Sequence, residues 1–398
     1  VGRLIHSGDF KIDETPVVGD PFNRPLWEEV SKDGVKALIC DSTNVFSPLP
    51  GRSENTIGDA IAEMMSNATG TVVATTFASN IARLKTLALA AKKANRSVVL
   101  LGRSMQRMVE AATQVGILSG FPPIVSPEDA LNMPRNSIML LVTGSQGERR
   151  AASAQLAQGK YLGLSLKDGD TFLFSSKTIP GNERGVIRIM NQLSELGVDV
   201  IDDAGGKYHV SGHANRPDLA TMHEIVKPEM LIPMHGEHRH LREHVKLGEQ
   251  SGIKGIVAVN GMMIDLTGDR PSVAEYIETG RTYLDGSVKV GAMDGVVRDR
   301  IRMALNGQMV VTLILDENDE PLGDPWVEIS GLSETGKSNT SLAEVVEADL
   351  AQFLGRANDK TLRDDVKLEK ELKNVARKSA QGEIGKKPEV IVIVSRLS

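Results

Sequence analysis

TVVATTFASNIARLKTLALAAKKANRSVVLLG, residues 71–102, is the stretch on which the fold turns. Its first run, Thr71 to Phe77, is apolar and β-branched without alternation, and Ser97 to Leu101 repeats that pattern. A strand of this kind is covered on both faces, and the residues between the two runs carry apolar side chains at helical spacing. Strand, helix and strand in succession predict a βαβ unit and a parallel sheet. Ser79 is the expected N-cap of the helix, because its hydroxyl can accept from an unsatisfied N–H, and Lys92 and Lys93 suit its negative end.

Two more units follow. Asn136 to Thr143 runs through Gly144-Ser-Gln-Gly-Glu148 into an expected helix from Arg149 to Gln158, and Asp170 to Ser176 runs through Lys177-Thr-Ile-Pro-Gly-Asn-Glu183 into another. Gly197 closes the second helix at its C′ position. The loops after the three strands share the C-terminal edge of the sheet, where backbone N–H groups and helix dipoles favour anions such as phosphate. Ordinary capping explains any one of them alone; three on one edge favour anion binding.

The chain of 398 residues is long enough for two or three domains. No run reaches the roughly 18 apolar residues of a membrane span. No basic, then apolar leader opens the sequence, and the single Cys40 has no internal partner, so a reducing cytoplasm is the expected compartment. Cys40 ends an apolar run and reads as a buried structural thiol. The net charge of −6 argues against bulk electrostatic coating of nucleic acid and leaves only local contacts. After Asp265 the composition becomes linker-like. A smaller α/β pattern follows from about Arg298: a hairpin of 310–315 with 325–330, a helix opened by the capping box Ser341-Leu-Ala-Glu344, a second helix near 362–380 and a final strand at 390–394. Its charges read as a solvated helix face rather than an RNA-binding stripe.

Chemistry must rest on histidines and carboxylates. Six of the eight histidines lie between 209 and 240. His213, in His209-Val-Ser-Gly-His213, follows a Ser-Gly pair that permits close backbone approach. His235 closes the apolar run Met230-Leu-Ile-Pro-Met, at the end of an expected strand. His238, His240 and His244 read as the polar face of a helix, with a local zinc site from His240 and His244 as a minor alternative. His6 and His223 read as structural. Asp9 and Asp41 each follow an apolar strand at one sheet edge, where an acid either holds a cation or caps the next turn.

Taken in order, HSGDFKID, CDSTN, TTFASNIARL, LLGRSMQRM, LLVTGSQGE, SSKTIPGNE, HVSGHANRPDL and PMHGEHRHL resemble the RNase J family, bacterial nucleases of the metallo-β-lactamase/β-CASP class. The resemblance covers residues 1 to about 270, with a looser likeness in the tail. It implies an α/β fold: a partial metallo-β-lactamase αββα sandwich interrupted by a β-CASP parallel-sheet domain, plus a small C-terminal α/β domain. The expected divisions are 1–45 and 179–270 for the metallo-β-lactamase halves, 46–178 for the β-CASP domain, 271–300 for a linker and 301–398 for the tail.

By the same resemblance Asp9 and His235 are metal ligands, Asp41 orients the ligand shell, and His213 stabilises the scissile phosphate or protonates the leaving oxygen. His209, Val210, Ser211, Gly212 and His213 form the phosphate-binding loop, partnered by Phe77, Ala78 and Ser79. The implied cofactor is a pair of Zn2+ ions, with Mg2+ or Mn2+ as alternatives, and the implied activity is 5′-to-3′ exonucleolytic and endonucleolytic cleavage of RNA in processing and decay. Implied partners are 5′-monophosphorylated RNA, a second or further copies of the chain in a dimer or tetramer, and components of an RNA-degradation complex. The family's His-x-His-x-Asp-His motif does not occur in this sequence. The expectation is therefore an N-terminally truncated chain, inactive alone; a non-catalytic RNA-binding or scaffolding paralogue is the alternative.

Overall fold

A computed structural model describes residues 2–202 and 205–397; Val1 and Ser398, at the ends of the expected divisions, lie outside the described residues. The chain forms two compact units that part between Ile277 and Glu278.

The first unit begins with β1 (Leu4–His6), α1 (Arg24–Ser31) and β2 (Val35–Asp41). The chain then departs through α2 (Gly58–Asn67), β3 (Val72–Thr75), α3 (Ile81–Lys93), β4 (Ser97–Leu101), α4 (Arg103–Gln114), α5 (Pro127–Ala130), β5 (Ile138–Val142), α6 (Ala152–Ala157), β6 (Thr171–Phe174), α7 (Glu183–Glu195) and β7 (Asp199–Ile201). It returns through α8 (Arg216–Val226), β8 (Pro228–Met234), α9 (His238–Gln250) and β9 (Lys254–Gly255), and closes with the antiparallel pair β10 (Met262–Asp265) and β11 (Ser272–Tyr276).

Two parallel sheets result, ordered β1-β2-β8-β9 and β4-β5-β3-β6-β7, the second inserted into the first. The unalternating runs find both faces covered. Val72, Ala74, Val98 and Leu100 pack with α2, α3 and α4, while Val73, Val99, Leu101 and Phe172 point to the opposite core with α6 and α7. Each Val, Leu or Phe side chain among them, fully withdrawn from water, contributes roughly 1.5–3 kcal/mol. The loops after β3, β5 and β6 do share one edge, as the βαβ reading requires.

Three local expectations need correction. Asn80, not Ser79, caps α3: its carboxamide oxygen accepts from Arg83 N at 3.0 Å, satisfying the third helical N–H. The inserted sheet runs past residue 178, because β7 pairs with β6 and α7 packs in its core. Helix α6 starts at Ala152 rather than Arg149, since Ser153 turns back to bond Thr143 O and Gly144 O.

The second unit holds the hairpin β12 (Thr282–Asp285) and β13 (Val288–Gly291), then α10 (Val296–Asn306), β14 (Gln308–Leu315), β15 (Trp326–Ser330), α11 (Leu342–Leu354), α12 (Asp359–Leu362), α13 (Asp365–Ile384) and β16 (Glu389–Arg396). Its sheet, β15-β14-β16, buries Met309, Val311, Leu313 and Val390 in one core with Val346 and Leu350 of α11 and Leu372 of α13. The stretch 271–300, expected as a linker, carries β11 and this hairpin. Ser341 makes no side-chain cap bond, so the expected capping box does not form; Leu342 N is held instead by Glu334 O. Among the described residues no helix is long and apolar enough to cross a membrane.

Candidate functional site

Three neighbouring parallel strands deliver three donors to one edge. Asp9 follows β1, Asp41 ends β2, and His235 lies one residue beyond Met234, the register partner of Asp41. The three offer one donor atom each, all within 4.8 Å of one another. His235 Nδ1 is 2.8 Å from Asp9 Oδ1 and 3.9 Å from Asp41 Oδ1. Two ligands at about 2.0 Å on a tetrahedral ion stand about 3.3 Å apart, so these separations bracket the spacing one divalent cation needs. Carboxylate oxygens and an imidazole are also its usual donors.

The backbone is built for this placement. His235 has φ 55°, in the left-handed region that side chains avoid, which costs on the order of 1 kcal/mol and marks a site where conformation is imposed. Gly236 follows with φ 122°, and a Cβ there would lie 2.9 Å from His240 Cβ. The site is half open: Asp41 is fully buried, while the Asp9 and His235 side chains are 61% and 46% exposed.

Asp41 has a second set of contacts. Thr43 N and Oγ1 donate to its Oδ1 at 3.0 and 2.7 Å, and His213 Nδ1 lies 2.7 Å from its Oδ2. Asp41 thus caps the turn to Thr43 while it stands in the donor cluster. Burial alone would raise its pKa, but the bonds from His213 and Thr43 prevail and hold it below the usual carboxylate range. Its hydrogen bond in turn raises the His213 pKa, against the opposing effect of burial. His213 Nδ1 is also 4.0 Å from Asp9 Oδ1.

The loop 208–213 is held from two sides. Asn44, three residues beyond Asp41, directs its amide to Ser211 Oγ at 2.8 Å and His213 O at 3.3 Å. From the inserted sheet, Ser175 Oγ donates to Tyr208 O at 2.7 Å and Arg83 Nη2 to Val210 O at 3.3 Å. Arg83 is wholly buried; its remaining donors reach Glu54 at 2.5 and 2.9 Å and Ser175 O and Oγ at 2.7 and 3.0 Å. A guanidinium has five N–H groups, and each here has an acceptor. Within this loop burial, followed by the charges of Arg83 and Lys177, pushes the His209 pKa down to about 4.

Phe77, Ala78 and Ser79 form the turn into α3, and Ala78 and Tyr208 pack on the same apolar cluster as Val210, which brings the two expected phosphate-contacting segments together. Asn80, Val210, Ser211 and Gly212 line a cavity of about 310 Å³ with Lys11 and Glu54. His244 is a correction: it is buried, not on the polar face of α9. It lies on the stripe of Leu241, Leu247 and Gly248, a spacing that marks the core side of the helix. His240 instead accepts from Glu237 N at 3.0 Å and meets the Phe46 ring edge-on at 5.3 Å, so the two form no zinc pair. Arg83 and Asn44 escaped the sequence reading; the signal for Arg83 was its place among the core-facing Leu84, Leu87 and Ala90.

Comparison with known proteins gives three family matches: Ribonuclease J, beta-CASP domain, over 69–193; Zn-dependent metallo-hydrolase RNA specificity domain, over 206–258; and Ribonuclease J C-terminal domain, over 295–397. The chain is 35% identical to a Ribonuclease J of Sinorhizobium meliloti over 401 residues, covering 100% of this chain and 71% of that protein. It is 34% identical to that of Corynebacterium glutamicum, covering 88% and 50%, and 31% identical to that of Mycobacterium tuberculosis, covering 89% and 64%. The chain thus spans from half to about seven tenths of the length of these relatives.

Proposed function

The chain belongs to the ribonuclease J family, and on that premise we propose that it is the greater part of a metal-dependent ribonuclease acting 5′-to-3′ from a monophosphorylated end and also cutting internally. Its fold is the metallo-β-lactamase/β-CASP fold. The observation that carries the reading is the convergence of Asp9, Asp41 and His235 within 4.8 Å at one sheet edge, with His213 bonded behind them.

Asp9, Asp41 and His235 would hold a divalent ion, zinc or else magnesium or manganese. Such an ion, when bound, supplies Lewis acidity and activates water for attack on phosphorus. The rest falls to the chain's own residues. Asp41 keeps a proton on His213 by accepting from Nδ1, which leaves Nε2–H to be given to the leaving oxygen. Asp41 therefore serves as ligand and as orienting group, a larger role than the resemblance gave it. Ser211, the amides of 209–213 and the turn Phe77-Ala78-Ser79 clamp phosphates without reading bases, so the activity has little sequence preference.

The sequence contains no His-x-His-x-Asp-His segment, and three donors do not complete a two-ion site. The reading therefore includes a dependence on donors beyond those of this chain, along with cytoplasmic action and assembly into dimers or tetramers. The test is degradation of 5′-monophosphorylated against 5′-hydroxyl RNA in zinc, magnesium or manganese, by this chain, by a longer chain carrying such a segment, and by that longer chain with His213→Ala. Hydrolysis by the longer chain, preferring the monophosphate and lost in the variant, is expected. RNA bound yet uncut by all three would favour a non-catalytic scaffold; RNA neither bound nor cut would sink both readings.

A further inference from the structure

Beneath the donor cluster lie two buried histidines that the proposed chemistry does not use. His223 on α8 and His244 on α9 are 2% and 0% exposed, and their Nε2 atoms are 3.1 Å apart. The ring planes differ by 12° and the centroids stand 5.1 Å apart. At that separation the two Nε2 atoms are the points of closest approach of two nearly parallel rings, within reach of an N–H···N bond. Two ligands of one tetrahedral ion would instead aim their nitrogens at a point off the line between them.

On its other side His244 Nδ1 is 2.9 Å from Ser42 Oγ, which is 3.3 Å from Cys40 O. His223 Nδ1 is buried and has no protein partner among the described residues. Counting protons fixes the direction of this chain. Ser42 has one hydroxyl proton. Given to Cys40 O, it obliges His244 to donate from Nδ1 and to accept at Nε2 from His223. His223 Nδ1 is then a bare lone pair. The reverse direction would leave His223 with a buried, unpaired N–H and take the Ser42 proton from Cys40 O, and orphaned donors are the rarer fault. Burial keeps both rings neutral, with pKa values pushed down to about 4 for His223 and about 3 for His244, so each ring carries one proton, and the hydrogen-bond chain decides on which nitrogen.

We propose that His223 and His244 are positioning residues: a one-way relay, His223 Nε2–H to His244 Nε2, His244 Nδ1–H to Ser42 Oγ and Ser42 Oγ–H to Cys40 O, grips the residues on either side of Asp41. It thereby fixes the Asp41 carboxylate between His213 and the other two donors. The part of this inference that concerns metal rests on the proposed function; the relay itself does not.

Two substitutions separate its halves. The amide of His244→Asn reaches the place of Nδ1 and keeps the bond to Ser42, whereas that of His244→Gln reaches the place of Nε2 and keeps only the bond to His223. Nitrogen-15 NMR of the histidine-labelled, metal-free chain should find Nδ1 protonated in His244 and Nε2 protonated in His223. The His213 Nδ1 signal, set by its bond to Asp41, should be unchanged in His244→Asn and shifted in His244→Gln. Titration with zinc alone should give binding about tenfold weaker in His244→Gln and near parent strength in His244→Asn, the scale at which groups behind a ligand act. Reversed tautomers, or a His213 signal equally moved or equally unmoved in both variants, would overturn the relay. Expected NMR results with no zinc binding by the parent chain would leave the relay standing and overturn the metal reading.

Discussion

The two parallel sheets of the first unit have the same architecture and end in opposite chemistry. Strands β1, β2 and β8 finish in Asp9, Asp41 and His235, lone-pair donors that suit a cation. Strands β3 and β6 finish in the uncharged turns Phe77-Ala78-Ser79 and Ser175-Ser176, the first of which the proposed function assigns to phosphate. The sheet supplies only an edge; the residues placed at the strand ends decide the sign of what binds there. The loop 208–213 belongs to both, hung from Asn44 on one side and from Ser175 and Arg83 on the other.

If the two edges cooperate on one phosphodiester, the loop between them should carry the largest effect. His213→Ala in the longer chain of the proposed test should slow RNA cleavage about 10²- to 10⁴-fold, the usual contribution of a general acid, with RNA affinity little changed in filter binding. Equal loss of binding and rate would assign His213 to the anion edge alone. Next comes the joint. Arg83→Met leaves Glu54 buried without its partner and should cost about 3–5 kcal/mol in urea denaturation, much of it recovered by adding Glu54→Leu. An exposed-pair value below about 1 kcal/mol would mean that Arg83 does not lock the two sheets together.

Acidity tests the joint from another side. His209, His223 and His244 stay neutral in the folded chain, with pKa values pushed to about 4, about 4 and about 3, against 6.5 for an ordinary histidine. Between pH 6.5 and about 4 the unfolded chain binds more protons than the folded one. This contribution to stability is complete above 6.5 and is lost as the pH falls toward 4. Urea midpoints should drop across that window, and less steeply in His223→Gln; an unchanged slope in that variant would contradict the burial argument. The smallest effect sits at the anion edge: Asn80→Ala should cost about 1 kcal/mol and Ser79→Ala only a few tenths, because the cap bond belongs to Asn80.

These effects also mark what the sequence could disclose. Unalternating apolar runs such as Val72–Thr75 announced the inserted parallel sheet, because covering both faces of a strand leaves a direct trace in composition. Asp9, Asp41 and His235 were legible as polar residues at or just beyond the ends of such runs, and His213 by the Ser-Gly pair before it. The choice of Asn80 over Ser79 was not, since either side chain can cap and one residue of phase decides between them. Arg83 and His244 were hidden for a different reason: a buried polar side chain looks like a surface one until its partners arrive from elsewhere in the chain. Glu54 and Val210 lie 29 and 127 positions from Arg83, and Ser42 lies 202 from His244.

The central claim is that the donor edge holds a divalent ion through Asp9, Asp41 and His235. Calorimetric titration of the chain with zinc, repeated on Asp9→Ala, Asp41→Ala and His235→Ala, tests it most directly. The expected result is zinc binding by the parent chain that each substitution weakens by more than about 100-fold, beyond what groups behind a ligand account for. No binding by the parent, or equal binding by all four proteins, would contradict it.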